Sequence, residues 1–215
     1  MKNKLNPGLS SSDWKELCER FHFPAEKLHY IKTIYTALLP LVDSYVYYSL
    51  TQDMDEIPFT NYVYGIVTLG NGVDQLSELY LNHEQLEEAY IVDCISLMLL
   101  SKAYEEFAYL AERKTGLNLV ELSFLGDTYS MDLLPKIYNN LEPASVTLTD
   151  GLMLWPLKTA TLILRLDTKA ASNRDQLCNS CAGCKNYSCP SRKASSRELP
   201  LTYGEMQIFH RKLHT

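Results

Sequence analysis

The sequence has few glycines and lacks the motifs of several enzyme classes. Nine glycines occur among 215 residues, and the single G-x-G, Gly70-Asn71-Gly72, lacks the further glycines and the lysine of nucleotide-binding loops. We interpret it as a tight turn between a strand and a helix. No serine has a G-x-S-x-G context, and the five histidines show no H-E-x-x-H spacing. Serine hydrolases and zinc proteases of these types therefore have no support.

Long apolar runs are also missing. The most apolar stretch, residues 90–100, is short and contains Asp93, and residues 1–14 are polar. We therefore expect neither a membrane span nor a secretory signal, and we expect a cytoplasmic protein with no membrane partner.

Charge is unevenly distributed along the chain. Residues 178–215 hold six lysines and arginines against two glutamates, a net charge of +4. Because the whole chain is −6, residues 1–177 carry −10. This acidic body argues against broad nucleic-acid binding, so we expect no nucleic-acid partner.

Apolar spacing predicts helices and strands in an irregular order, which favours an α+β fold over a regularly alternating parallel sheet. The predicted helices lie before Pro24, at about 25–39, 73–81 and 84–114, and after Ser130; the predicted strands lie at about 41–50, 62–69, 118–123, 146–149 and 159–166. The sequence predicts three parts: an N-terminal helical and strand extension (1–60), an α+β core (61–170) and a Cys-rich tail (171–215).

Four cysteines crowd into twelve residues of this tail, at Cys178, Cys181, Cys184 and Cys189. Their spacing, C-x2-C-x2-C-x4-C-P, lets four thiolates converge on one metal, and it differs by one residue from the bacterial ferredoxin run. Four-thiolate zinc sites usually consist of two separated pairs, so the compressed spacing favours an iron–sulfur cluster over zinc. A thiol or disulfide cluster without metal is the third alternative. Cys18 and Cys94 lie on apolar helix faces and are predicted to be buried.

Several segments resemble the activation (reactivation) domain of vitamin B12-dependent methionine synthase, in the form of stand-alone proteins. The resemblance is carried by residues 64–80, by 122–141, and by 146–164, which parallels the family's L-T-E-S-x-x-M-x-P-x-x-S-V-S run. The tail at 181–192 is similar to the C-x2-C-x4-C-x2-R ending of stand-alone members. Together these segments cover roughly residues 60–192.

The resemblance implies a twisted antiparallel sheet flanked by helices. It also implies a role beside a corrinoid. In the full-length methionine synthase, the activation domain binds S-adenosylmethionine and supports reductive remethylation after cob(I)alamin has been oxidised. That reaction requires a low-potential electron donor. Cobalamin would thus be contributed by a corrinoid-binding partner or methyltransferase. The apolar pairs Met153-Leu154 and Trp155-Pro156 would line the groove that faces the corrinoid domain.

The ligand loop departs from the family pattern R-x-x-x-G-Y, in which the arginine holds the methionine carboxylate. Glu121 stands where that arginine is expected, and it would repel a carboxylate. The resemblance assigns ligand binding to Gly126, Asp127 and Tyr129 of this loop, and to Glu105 or Glu106 as the acidic helix residue that holds an ammonium group. The charge reversal at Glu121 argues against S-adenosylmethionine as the ligand.

The resulting expectation is an accessory protein of corrinoid-dependent methyl transfer that assists reductive reactivation, with electrons supplied by an iron–sulfur tail. Two alternatives remain. One is a non-enzymatic binding or scaffold module whose tail holds a structural zinc. The other is an activation protein that retains S-adenosylmethionine binding through altered contacts.

Overall fold

The fold is built on a five-stranded antiparallel sheet. The computed structural model describes residues 1–126 and 129–168, together with the short strands at 202–203 and 206–207. The strands, in chain order, are β1 (Lys2–Lys4), β2 (Tyr45–Ser49), β3 (Tyr62–Thr68), β4 (Asn118–Phe124), β5 (Thr147–Leu148), β6 (Leu154–Trp155), β7 (Thr159–Asp167), β8 (Thr202–Tyr203) and β9 (Met206–Gln207). The main sheet has the order β1-β2-β3-β7-β4, while β5-β6 and β8-β9 form separate two-stranded sheets.

Five α-helices accompany the sheet within the described residues. They are α1 (Ser11–Phe21), α2 (Leu28–Leu38), α3 (Gly72–Asn82), α4 (Leu86–Thr115) and α5 (Leu133–Leu141). The 30-residue α4 ends at Gly116, whose φ of 71° is the left-handed conformation that glycine adopts without strain. The glycine at the end of this predicted helix is thus confirmed as its C-terminal cap.

The helices cover the sheet unequally. Helices α1 to α4 pack on one face, which we call the helix-layer face, and α5 packs on the other, which we call the α5 face. Strand β3 shows the alternation that produces two cores: Val63 and Val67 enter the helix-layer core, whereas Tyr64 and Ile66 enter the α5 core. The predicted α+β class, with an antiparallel sheet flanked by helices, is confirmed.

Residues 1–60 belong to the same sheet and core as the residues that follow. Strand β2 pairs with β3 along its whole length, from Tyr45 opposite Thr68 to Ser49 opposite Tyr64, and β1 adds the edge beyond β2. Helices α1 and α2 contact α4. The predicted domain boundary at residue 60 therefore lies in the connection between two hydrogen-bonded strands.

Across the described parts of the chain, no helix combines the length and apolar character needed to cross a membrane. The long helix α4 carries charged residues at both ends, with Glu87 and Glu88 in its first turn and Arg113 and Lys114 in its last.

Candidate functional site

A carboxylate and a guanidinium lie side by side on the α5 face of the sheet. Glu121 on β4 is the cross-strand partner of Arg165 on β7, and its Oε2 lies 3.4 Å from the Arg165 Nε. The Ser123 hydroxyl donates a 3.3 Å hydrogen bond to Oε1 of Glu121. The Glu121 and Arg165 side chains are 22% and 35% exposed, so the pair contributes at most about 1 kcal/mol to stability.

A register shift in β4 places Glu121 on this face. Leu119 pairs with Leu166 and Glu121 pairs with Arg165, so β4 has one extra residue between them. Leu119 and Leu122 can therefore both enter the helix-layer core. A bulge of this kind re-aims the side chains that follow it. Here it turns Glu121 and Ser123 together toward the α5 face.

Arg165 is held from its other side by an aromatic ring. Its Cζ lies 4.8 Å from the centre of the Phe59 ring, a cation–π distance. The Arg165 Nε is buried and has no hydrogen-bond partner, and the same is true of the Thr161 hydroxyl four residues earlier on the same face of β7. Among the described residues these are the two buried side-chain polar atoms without a hydrogen-bond partner, although the Arg165 Nε has the ion-pair contact with Glu121. Each would be stabilised by a polar group bound at this face.

The loop after β4 returns Tyr129 to the edge of this site. Gly126 has a φ of +82°, which side-chain-bearing residues rarely adopt, and its N–H donates a 2.7 Å hydrogen bond to the Tyr129 carbonyl. Tyr129 also forms a bridge with Leu125. Burial and the nearby charge of Glu121 raise the pKa of the Tyr129 hydroxyl, while Arg165 acts in the opposite direction. Tyr129 therefore lies within electrostatic reach of both members of the pair.

No family model matches the sequence, and no curated protein matches it either. Among solved structures, the MetH reactivation domain bound to AdoHcy matches with a TM-score of 0.53 at 10% sequence identity, covering 80% of this chain and 79% of that chain. The chain has the fold of the MetH reactivation domain. The likeness predicted from the sequence is thereby confirmed as a likeness of fold.

Within this reactivation-domain fold, the predicted ligand residues do not all lie together. Gly126 and Tyr129 border the Glu121–Arg165 pair. Asp127 lies outside the described residues. Binding by Gly126, Asp127 and Tyr129 stays a prediction.

Glu105 and Glu106 belong to α4, which covers the opposite face of the sheet. Glu106 accepts a 2.8 Å hydrogen bond from the backbone N–H of Asn6. Glu105 pairs with Lys102 at 3.3 Å, and Lys102 also pairs with Asp13 at 3.0 Å. The structure thus gives both glutamates partners on the helix-layer side of the sheet, the opposite side from the Glu121–Arg165 pair. Their ligand role also stays a prediction.

Sequence reasoning missed Arg165, Thr161 and Phe59 as members of the site. Arg165 is the one charged residue inside the apolar strand Thr159–Leu166, and a cation within such a run is the signal that could have identified it. A guanidinium therefore lies beside Glu121, contributed by the neighbouring strand β7.

The four predicted metal ligands, Cys178, Cys181, Cys184 and Cys189, lie outside the described residues, so the iron–sulfur or zinc site stays a prediction. In the part of the chain that the structure does describe, no group of three or more histidine, cysteine or acidic side chains could hold a metal.

Of the two remaining cysteines, Cys94 is buried and Cys18 is half-buried. Burial raises the pKa of the Cys94 thiol to about 11, so this side chain is a neutral part of the core at physiological pH.

Proposed function

We propose that this protein is an accessory factor of corrinoid-dependent methyl transfer that docks on a corrinoid-binding methyltransferase and assists its reductive reactivation. The observation that carries the proposal is the likeness to the MetH reactivation domain over 80% of the chain. The assisted step is a one-electron reduction of cob(II)alamin to cob(I)alamin, which then accepts a methyl group. The electron comes from a low-potential donor, relayed by the tail cysteines if they hold an iron–sulfur cluster.

The docking surface is a set of exposed apolar side chains at one end of the sheet, which we call the docking rim: Leu39, Leu41, Met153, Trp155 and Leu157. The connections that bear them are joined by backbone hydrogen bonds of 3.0 Å from Asp43 to Leu69 and from Leu69 to Lys158. Exposed apolar groups gathered in this way are typical of interaction sites. We infer that a corrinoid-binding partner would contact the protein at this docking rim.

Reconstitution with a purified corrinoid methyltransferase from the same organism tests this function. We expect the full chain, with a chemical reductant and a methyl donor, to increase the rate at which cob(II)alamin returns to methylcobalamin, followed by absorbance. Replacing Trp155 and Leu157 with serine should reduce that rate at least fivefold, because the rim loses its apolar contacts.

The matched control replaces two exposed leucines of the α3–α4 turn, Leu81 and Leu86, with serine. This change should leave the rate intact. If the unmodified protein neither binds nor affects any corrinoid methyltransferase of its organism, the proposed function is wrong.

A second candidate function is binding of an S-adenosylmethionine-type ligand, and the Glu121–Arg165 pair is the observation that favours it. The related structure contains AdoHcy, a ligand whose amino-acid end bears an ammonium and a carboxylate. In this chain the Arg165 guanidinium would hold the carboxylate and Glu121 would hold the ammonium, with the Thr161 hydroxyl free to accept or donate. In this arrangement β7 provides the cation that holds the ligand's carboxylate, and β4 provides the acidic group that holds its ammonium. Glu121 would then favour ligand binding instead of opposing it.

Calorimetric titration with S-adenosylmethionine and S-adenosylhomocysteine tests the second candidate. Arg165→Met and Glu121→Gln should each weaken binding at least tenfold, whereas Glu105→Gln, on the other face of the sheet, should not. No heat of binding at millimolar ligand would remove this candidate and leave the docking function standing. Loss of binding in Glu105→Gln alone would move the site to α4.

A further inference from the structure

A concave surface lies in the helix layer, on the opposite side of the sheet from the Glu121–Arg165 site. It is a groove of about 510 Å³ between α1 and the beginning of α2, which we call the α1–α2 groove. Its apolar lining includes Trp14, Cys18, Phe23 and Leu28, and its charged lining is Lys15, Glu19 and Lys32. Its volume lies within the range of pockets that bind small molecules, about 300–1,000 Å³.

The floor of the α1–α2 groove is apolar and its rings are fixed by neighbours. Trp14 meets Tyr35 edge to face, with ring centroids 4.9 Å apart, and Phe23 lies 5.7 Å from Tyr90. Rings held in this way cannot collapse easily into the groove, so the apolar surface is preformed.

The thiol of Cys18 belongs to this floor. Burial, reinforced by the charge of Glu19, raises the pKa of Cys18 although Lys32 opposes the shift. The thiol is therefore protonated at physiological pH, and it presents an apolar surface.

The edge of the groove carries one unbalanced positive charge. Lys15 and Glu19, both exposed, lie 3.6 Å apart, so their opposite charges offset each other at the edge of the groove. The ammonium of Lys32 lies 5.5 Å from the centre of the Trp14 ring. Lys32 forms no ion pair with the part of the chain that the structure describes. An apolar floor beside a single available cation is complementary to a molecule that is apolar at one end and singly anionic at the other.

We propose that the α1–α2 groove binds a small amphipathic carboxylate, an apolar group of about ten carbon atoms that bears one carboxylate. The carboxylate pairs with Lys32 and the apolar part lies on Trp14, Phe23 and Leu28. This site is separate from the proposed docking rim, and the proposal stands whether or not the protein serves a corrinoid enzyme.

The test uses the full chain and two probes of equal carbon number, decanoate and 4-phenylbutyrate, each titrated to about 20 mM. At ordinary ligand efficiency, a molecule with a dozen non-hydrogen atoms binds with a dissociation constant on the order of 1 mM. Binding is measured by calorimetry. The location of the bound probe is tested by the rate at which iodoacetamide alkylates Cys18. This rate is followed by mass spectrometry of the peptide that contains Cys18.

We expect at least one probe to bind saturably and to slow Cys18 alkylation over the same concentration range. The two probes distinguish the kind of apolar group that the groove accepts. Binding of decanoate alone indicates an alkyl chain, and binding of 4-phenylbutyrate alone indicates an aryl group. The neutral 4-phenylbutyramide should bind about fivefold more weakly than its acid, the effect of losing one partly exposed ion pair.

Two variants separate ligand binding from folding. Lys32→Met keeps the length of the side chain and should weaken carboxylate binding about fivefold with an unchanged circular dichroism spectrum. The matched control is Lys114→Met, at an exposed lysine in the last turn of α4 and outside the groove, which should bind as the parent does. The proposal is overturned if neither probe binds, if binding leaves Cys18 alkylation unaffected, or if Lys32→Met binds as tightly as the parent.

Discussion

Gly65 on β3 packs directly against Phe107 of α4. A Cβ at this position would lie 2.7 Å from Cζ of Phe107 and 3.0 Å from the backbone oxygen of Tyr47. We expect Gly65→Ala to lower the free energy of unfolding by about 1–3 kcal/mol, because the buried Phe107 ring must move. Urea denaturation followed by circular dichroism gives the difference.

Gly151 provides the matched control for this substitution. Its Cβ would have the Thr149 hydroxyl, 3.9 Å away, as its nearest neighbour, so Gly151→Ala should change the free energy of unfolding by less than about 0.5 kcal/mol. Equal losses in the two variants would show that Gly65 is not tightly packed.

Of the individual residues in the candidate site, the sequence identifies about half. Gly126, Tyr129 and Glu121 follow from the likeness of one loop to a family motif. Arg165 lies 44 residues further along the chain, and its position opposite Glu121 depends on the strand register and on the bulge after Leu119. Local spacing contains no information about either, so the pair could not be predicted.

The first helix, α1, is anchored at its beginning by a buried carboxylate. Asp13 is 4% exposed and accepts hydrogen bonds of 2.6 Å from both the backbone N–H and the hydroxyl of Ser10. It also pairs with Lys102 on α4 at 3.0 Å. Burial acts to raise the pKa of Asp13, but these hydrogen bonds and the charge of Lys102 together lower it below its ordinary value of 3.8.

We therefore expect Asp13→Asn to cost about 1–2 kcal/mol of unfolding free energy at pH 7. A carboxyl whose pKa is lower in the folded state contributes stability that is complete above the unfolded-state pKa and is lost as the pH falls through the folded-state pKa. The difference between parent and variant should therefore shrink as the pH falls below about 3.8. Urea titrations between pH 7 and pH 2.5 measure it.

Glu19→Gln serves as the comparison for Asp13→Asn. Glu19 is in the same helix but is exposed and paired only with exposed Lys15, so its removal should cost a few tenths of a kcal/mol at most. A cost for Asp13→Asn that is independent of pH would contradict the role given to the Asp13 charge.

A helix or strand can be predicted from the sequence when its own residues determine it, and not when it depends on pairing with a distant segment. Helix α4 has apolar residues at regular spacing and a glycine at its end, so its span was predicted to within two residues. Strand β1 reads Lys-Asn-Lys and is fully exposed. It is a strand only because it pairs with β2, more than forty residues away in the sequence. The short β6 likewise depends on its partner β5.

At the scale of the whole molecule, the buried apolar side chains of the described residues lie between Leu5 and Leu166. We expect this core to form whether or not the tail cysteines hold a metal. We expect removal of the metal with a chelator, after anaerobic purification, to leave the thermal midpoint within about 2 °C. A fall of more than about 8 °C would mean that the tail contributes to the stability of the core.

The same anaerobic preparation identifies the metal. A brown protein with bound iron and broad absorbance near about 400 nm supports the electron-relay role of the tail. A colourless protein with one zinc supports the scaffold alternative.

The position of β7 has a consequence for how the chain folds as it is synthesised. β7 is the last strand of the main sheet to leave the ribosome, yet it lies between β3 and β4. Until residues 159–167 emerge, β3 lacks its second neighbour, and β4 lacks any sheet neighbour among the described strands. The five-stranded sheet can therefore be completed only after its last-synthesised strand has paired with both β3 and β4. A nascent chain halted before residue 159 would display two open strand edges, which are the surfaces that chaperones and aggregates capture.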